Sequence, residues 1–206
     1  MMEPSSGNQK IIDADTEVFL KVKKGDEQAF RKLYKKFYPQ ILNLIFRFTS
    51  DRGHAEDIAQ EVFIRAYFGA KTFYPQAKFS TWLYKIAVNR CFSHYKKNKN
   101  ERELHINESG LSPNWEDASS VNFENYPSSL PTPDEHIIRN ELHGEIRAAL
   151  HKLPHDQKMA FILLEYSGLS YQEIARISGT SVKAVERRIY RARDKLKTLL
   201  KKYISS

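Results

Sequence analysis

Residues 169–193 read LSYQEIARISGTSVKAVERRIYRAR, and this stretch decides the fold class. Ser170 and Glu173 stand three apart, the spacing at which each side chain satisfies the other's free backbone amide at a helix start. Ile174 and Ile177 then face inward, and Ala175 is small enough for a close helix crossing. Gly179 supplies a turn, and Ser181 caps a second helix. Val182, Val185, Ile189, Ala192 and Leu196 recur at the 3.6-residue period and form its buried stripe. Lys183, Glu186, Arg187, Tyr190 and Arg191 point the other way, with Arg188 and Arg193 at the flanks. Two short helices joined by a glycine turn make a helix-turn-helix. Between Ser181 and Lys202 there are nine basic and two acidic residues. Such a face suits a DNA major groove, where Arg reads guanine and Glu accepts from cytosine; the alternative is a basic, solvated surface helix. Two helices upstream, about Asp134–Leu153 and Pro154–Tyr166 with Pro154 as first residue, supply its packing partners.

The N-terminal half follows the same helical period. A short helix from about Ala14 to Lys24 stops at Gly25, and Asp26 caps the next, which aligns Phe30, Leu33, Tyr34 and Phe37. Pro39 must bend or break that helix; Leu44, Ile45 and Phe48 continue its stripe. A third helix, about His54–Ala70, buries Ala55, Ile58, Ala59, Val62 and Ala66. Asp57, Gln60, Glu61, Ile64 and Phe68 fall on its opposite face. Carboxylates mixed with large apolar residues suit a docking surface for a basic helix of another protein better than plain solvation. The segment 71–80, KTFYPQAKFS, is a polar loop carrying Phe73, Tyr74 and Phe79. A fourth helix follows, capped by Ser80 or Thr81, with Trp82, Leu83, Ile86, Ala87, Asn89 and Arg90. Rings interleaved with cations suit unpaired bases. For Trp82 and Phe79 core packing competes with base contact, so Phe73 is the better candidate.

No strand alternation is convincing, so the chain is expected to be all-α, with two small helical domains. The 206 residues carry 33 Lys and Arg against 25 Asp and Glu, a formal charge of +8. Residues 1–102 are net +8, residues 103–138 net −7 with no Lys or Arg, and residues 139–206 net +7. The acidic stretch contains Pro113, Pro127, Pro131 and Pro133 and lacks apolar periodicity. It reads as a linker, either a solvated spacer or a segment that occupies a basic channel. The expected divisions are a disordered tail over 1–13, a helical domain over 14–103, a linker over 104–133 and a helix-turn-helix domain over 134–206.

Composition excludes several classes. The longest apolar run, Met159–Leu164, is six residues, where a membrane span needs roughly 20. No signal peptide is recognisable, no GxG or GxxxxGK loop occurs, and one cysteine, Cys91, permits no internal disulfide. A reduced, soluble, cytoplasmic protein is expected. His151 and His155 are separated by a helix-starting Pro154, which argues against a zinc pair. Asp57 and Glu61 imitate paired catalytic carboxylates but lack companions. No metal, cofactor or catalytic residue is therefore expected. Cys91 sits in an apolar helix and reads as an inert thiol rather than a redox sensor.

The segments GDEQAFRKLYKKFYPQ, DIAQEVF, FSTWLYKIAVNR, LPHDQKMAF and GLSYQEIA followed by SVKAVERRIYRAR together resemble extracytoplasmic-function (ECF) sigma factors, the dissociable promoter-specificity subunits of bacterial RNA polymerase. They span nearly all of 15–100 and 134–200 in the right order. The resemblance implies that Asp57, Gln60, Glu61, Ile64 and Phe68 meet the clamp helices of core polymerase. It implies that Phe73 accepts a flipped base, and that Lys78, Phe79, Trp82, Asn89 and Arg90 serve the −10 element. Lys183, Glu186, Arg187, Arg188, Tyr190 and Arg191 would serve the −35 element. Core polymerase (clamp helices and flap), promoter DNA and an anti-sigma factor are the implied partners, with no small-molecule substrate, no membrane insertion and a monomeric free state. The linker would thread the polymerase channels. Glu186, Arg187, Leu164 and Ser93 depart from common family choices, which puts a GGAAC-like −35 preference in doubt. The rival reading is a stand-alone helix-turn-helix regulator.

Overall fold

The computed structural model describes residues 12–106, 142 and 144–204, and every regular element among them is helical. The N-terminal half comprises α1 (Ala14–Lys23), α2 (Glu27–Thr49), α3 (Arg52–Gly69), a 3-10 turn (Ala70–Thr72) and α4 (Phe79–Ile106). The C-terminal half comprises α5 (144–151), α6 (His155–Glu165), α7 (Tyr171–Ser178), α8 (Val182–Leu199) and the short α9 (Lys201–Ile204).

The starts of these helices obey local chemistry. Asp13, expected in the tail, instead caps α1 by accepting from the Thr16 amide at 2.8 Å. Asp26 and Asp51 do the same for α2 and α3. Ser170 and Glu173 form the reciprocal capping box of α7, and Ser181 accepts from the Ala184 amide at 3.2 Å. Removing such a cap costs about 1 kcal/mol.

Three expectations need correction. Of the two outcomes expected at Pro39, a bend or a break, the break does not occur: α2 runs unbroken from Glu27 to Thr49. Lys35 and Pro39 are both exposed, so water can meet the carbonyl that loses its partner. The fourth helix starts at Phe79, ahead of Ser80 and Thr81; the Phe79 amide donates to the buried Thr16 hydroxyl at 2.9 Å, a cap supplied from α1. Pro154 precedes α6 as its cap residue rather than its first helical residue. The proposed linker lies outside the described residues, except that α4 runs on to Ile106. The tail, apart from Ile12 and Asp13, lies outside them as well.

Phe19 anchors the N-terminal core. Its ring packs on Phe79 at 4.3 Å, Phe73 at 5.0 Å and Trp82 at 5.3 Å. Leu33, Ile41, Leu44 and Ile45 of α2 meet Ala55, Ile58, Ala59 and Val62 of α3, where the small alanines allow close approach. The same apolar cluster continues into Met159, Ile162, Leu163, Ile174 and Ile189, so the two halves pack on each other. A smaller cluster of Ala149, Leu150, Leu153, Ala192 and Leu196 ties α5 to α8.

Gly179 closes α7 in the left-handed region (φ +63°), with open space where a side chain would stand. Gly179→Ala is therefore expected to destabilise through backbone strain alone, by about 1–2 kcal/mol. A thermal melt of the two proteins checks this.

Candidate functional site

The exposed face of α3 is a shallow apolar groove. Phe30 and Tyr34 of α2 and Gln60, Phe63, Ile64, Tyr67 and Phe68 of α3 line a hollow of about 310 Å³. Its rings lock edge to face: Phe30 on Tyr67 at 5.1 Å, Tyr34 on Phe63 at 4.8 Å, Tyr67 on Phe68 at 5.7 Å. Phe68 is 69 % exposed and Ile64 56 %, a large cost in apolar hydration for a free helix face. The sequence-derived set of Asp57, Gln60, Ile64 and Phe68 lies together on this exposed face. The α2 rings that complete the groove were missed, although Phe30 and Tyr34 share one stripe.

The two carboxylates of that face differ. Asp57 is exposed and forms no ion pair among the described residues. Glu61 is held by Arg65 at 2.9 Å and by Arg90 of α4 at 2.7 Å. Burial pulls the Glu61 carboxyl upward, but hydrogen bonds and charge from the two arginines outweigh it and hold the group below its usual range. Glu61 thus ties α3 to α4, and Arg90 is committed to it.

The loop and α4 hold their aromatics inward. Phe73 is 4 % exposed, wedged between Phe19 and Trp82, and its carbonyl accepts from Lys23 Nζ at 2.9 Å. Phe79 is fully buried, and Trp82 is half-buried over Gly69, where a Cβ would come within 3.1 Å of the indole. A base-accepting role for Phe73 requires its ring to leave this cluster. Tyr74 is the exposed ring of the loop. Asn89 is exposed on α4, and Lys78 pairs with Glu173 of α7 at 3.4 Å.

On the recognition helix α8, Lys183, Glu186, Arg187, Tyr190 and Arg191 are all exposed, Tyr190 most of all. Val185, Ile189 and Ala192 are buried beneath them, so the outward face is held rigidly. Arg188 is turned aside to Asp156 at 3.0 Å, and Arg193 to Glu165 at 2.6 Å. Three cations, a carboxylate and a ring on one exposed helical face match a groove reader.

No group of three His, Cys, Asp or Glu among the described residues could hold a metal ion, and no described helix is long and apolar enough to cross a membrane. His151 faces the Ser50 hydroxyl, while His155 packs its ring on Tyr95 at 3.5 Å. The Cys91 thiol is fully buried, and that burial pushes its pKa up to about 12.

The comparisons agree with this geometry. Residues 33–101 match the Sigma-70 region 2 family and residues 143–196 match Sigma-70, region 4. The RNA polymerase sigma-H factor of Pseudomonas aeruginosa is 34 % identical over 182 residues, covering 88 % of this chain and 91 % of the relative. The ECF RNA polymerase sigma-E factor of Haemophilus influenzae is 35 % identical over 179 residues, covering 84 % and 88 %. Among solved structures, CnrH in complex with the cytosolic domain of CnrY superposes with a TM-score of 0.67 at 25 % identity, covering 92 % of this chain and 98 % of that one. The sigma factor RpoE, in co-crystal with the anti-sigma factor NepR from Bartonella quintana, gives 0.62 at 26 % identity, covering 84 % and 96 %. Region 2 thus falls on the α2–α4 unit with its exposed groove and region 4 on the helix-turn-helix, and the chain belongs to the ECF sigma factors of bacterial RNA polymerase.

Proposed function

We propose that this sigma factor binds core RNA polymerase through the α3 groove, reads the −35 element with α8 and opens the −10 element with the α4 region. It acts as a promoter-specificity subunit and not as an enzyme. The observation that carries the reading is the coexistence of two exposed surfaces on one chain: an aromatic groove beside the unpaired Asp57, and a cationic groove-reading helix. The groove suits an amphipathic, basic helix of the polymerase clamp. The helix-turn-helix half supplies the contact to the polymerase flap. The free protein is a cytoplasmic monomer held in check by an anti-sigma factor.

Lys183, Glu186, Arg187, Tyr190 and Arg191 carry −35 recognition, and Arg188 joins them once it leaves Asp156. Asn89 and Trp82 line the path of the −10 strand, Arg90 and Lys78 join them once they leave Glu61 and Glu173, and Phe73 and Phe79 lie beneath. Run-off transcription with purified core polymerase and genomic fragments tests the whole reading. Transcripts are expected only when both proteins are present. Tight operator binding by the isolated chain, with no gain from polymerase, would establish the stand-alone regulator instead.

Arg187→Ala and Arg191→Ala are each expected to weaken promoter binding by the holoenzyme by about 1–3 kcal/mol where the contact to guanine is bidentate. Gel-shift titration against the same promoter reads this directly. Unchanged affinity in both variants counts against insertion of α8 into the groove.

A further inference from the structure

Glu186 is the sole acidic residue in the first three turns of α8; the next, Asp194, lies about 12 Å further along the helix. Glu186 is exposed, and among the described residues no ion pair or hydrogen bond holds its carboxylate. It does not serve the helix dipole, whose pull fades within the first turn, and the first turn of α8 carries no acid. Lys183 stands three residues earlier, a spacing that permits an ion pair, yet none forms. Arg188 and Arg193 are taken by Asp156 at 3.0 Å and by Glu165 at 2.6 Å. The fold therefore leaves this carboxylate unused.

A free carboxylate works against DNA binding, because it meets a phosphate surface of its own sign. Lys183 and Arg187 draw α8 onto that surface and carry Glu186 with them. At 100° per residue, Tyr190 and Lys183 lie between Glu186 and Arg187, so the carboxylate enters the groove on the same face. Stripped of water there, it needs a donor. The major-groove edges offer two, cytosine N4 and adenine N6, whereas guanine O6 and N7 and thymine O4 are acceptors. Adenine N6 adjoins the acceptor N7, which repels the second carboxylate oxygen. Cytosine N4 adjoins a carbon-bound hydrogen and sets no such opposition. The guanine paired with that cytosine presents O6 and N7, to which Lys183, one turn earlier on the same face, can donate.

Resting on the −35 reading above, we propose that Glu186 is a specificity-determining residue that requires a C·G base pair beneath it, with cytosine on the strand it faces. The cations of α8 supply the grip, and Glu186 turns that grip away from sequences that place an acceptor under its carboxylate. Repulsion from wrong sequences, more than attraction to the right one, gives the residue its effect.

The test uses the full chain with core polymerase and a promoter recovered by run-off transcription, randomised across its −35 element. Holoenzymes carrying the parent, Glu186→Ala or Glu186→Gln select from this pool, and the bound sequences are read. The parent is expected to favour a C·G pair at one position by about tenfold over the other pairs. Glu186→Ala flattens that position and leaves the others as they were. Glu186→Gln moves it to an A·T pair, since a side-chain amide matches adenine N6 and N7. Glu186→Ala also binds unselected DNA more tightly than the parent, because an anion has left the interface. Helical content by circular dichroism is the folding control. An unchanged profile in Glu186→Ala, a parent preference for any other pair at the position this variant flattens, or weaker binding of Glu186→Ala to unselected DNA overturns the assignment. Run-off by the parent reports on the promoter-binding reading separately: absence of transcripts fails that reading, whereas transcripts with an unchanged profile fail the Glu186 assignment alone.

Discussion

Asp57→Arg combined with Phe68→Ala is expected to abolish capture by core polymerase in a pull-down, while the purified variant melts at the parent temperature. Both side chains are exposed and Phe68 gives up only its edge contact with Tyr67, so the fold loses little when they change. Reversing Asp57 sets a cation against a basic partner helix, and like charges at an interface cost several kcal/mol. Removing the ring of Phe68 takes away the largest exposed apolar contact of the groove, the kind of anchor whose loss costs about 2 kcal/mol or more. Together they weaken binding on the order of a thousandfold. Glu61 is the instructive control. Because Arg65 and Arg90 already neutralise it, Glu61→Gln is expected to loosen the α3–α4 contact more than it changes polymerase capture. Normal capture by the double variant would remove α3 from the polymerase interface.

Phe79→Ala is expected to lower unfolding stability by about 3–5 kcal/mol, the largest stability loss among these substitutions. The ring is fully buried and touches Phe19, Phe37 and Trp82. Urea denaturation measures the loss. Phe79→Leu nearly conserves volume and is expected to cost less than about 1.5 kcal/mol. That second variant separates packing from base contact: permanganate reactivity at the −10 element stays normal if Phe79 only packs, and falls if the aromatic face itself meets a base.

Much of the candidate site was readable from residue order. The exposed set on α3 and the outward set on α8 follow from a 100° step per residue, a property of the helix backbone that needs no tertiary information. The caps at Asp26, Ser170 and Ser181 were equally readable, because their hydrogen bonds reach only three residues along the chain. Phe73 shows where that reading ends. A loop phenylalanine beside polar neighbours suggests an exposed ring, but Phe19, more than fifty residues earlier, offers it a buried edge-to-face contact at 5.0 Å. Burying the ring there gains more than exposure would.

Residue order by itself determined the helices, their inward and outward faces, the charge blocks and the family, since each depends on local periodicity or on motifs within a few turns. Only the tertiary structure decided which charges are still free and which rings are still accessible. Asp57 and Glu61 are equivalent on a helical wheel, yet two arginines from different places in the chain consume one of them. Lys158 of α6 reads as one more basic residue until α2 of the N-terminal half covers it. Long-range packing assigns partners, and a side chain's partner, more than its identity, sets what it has left to offer.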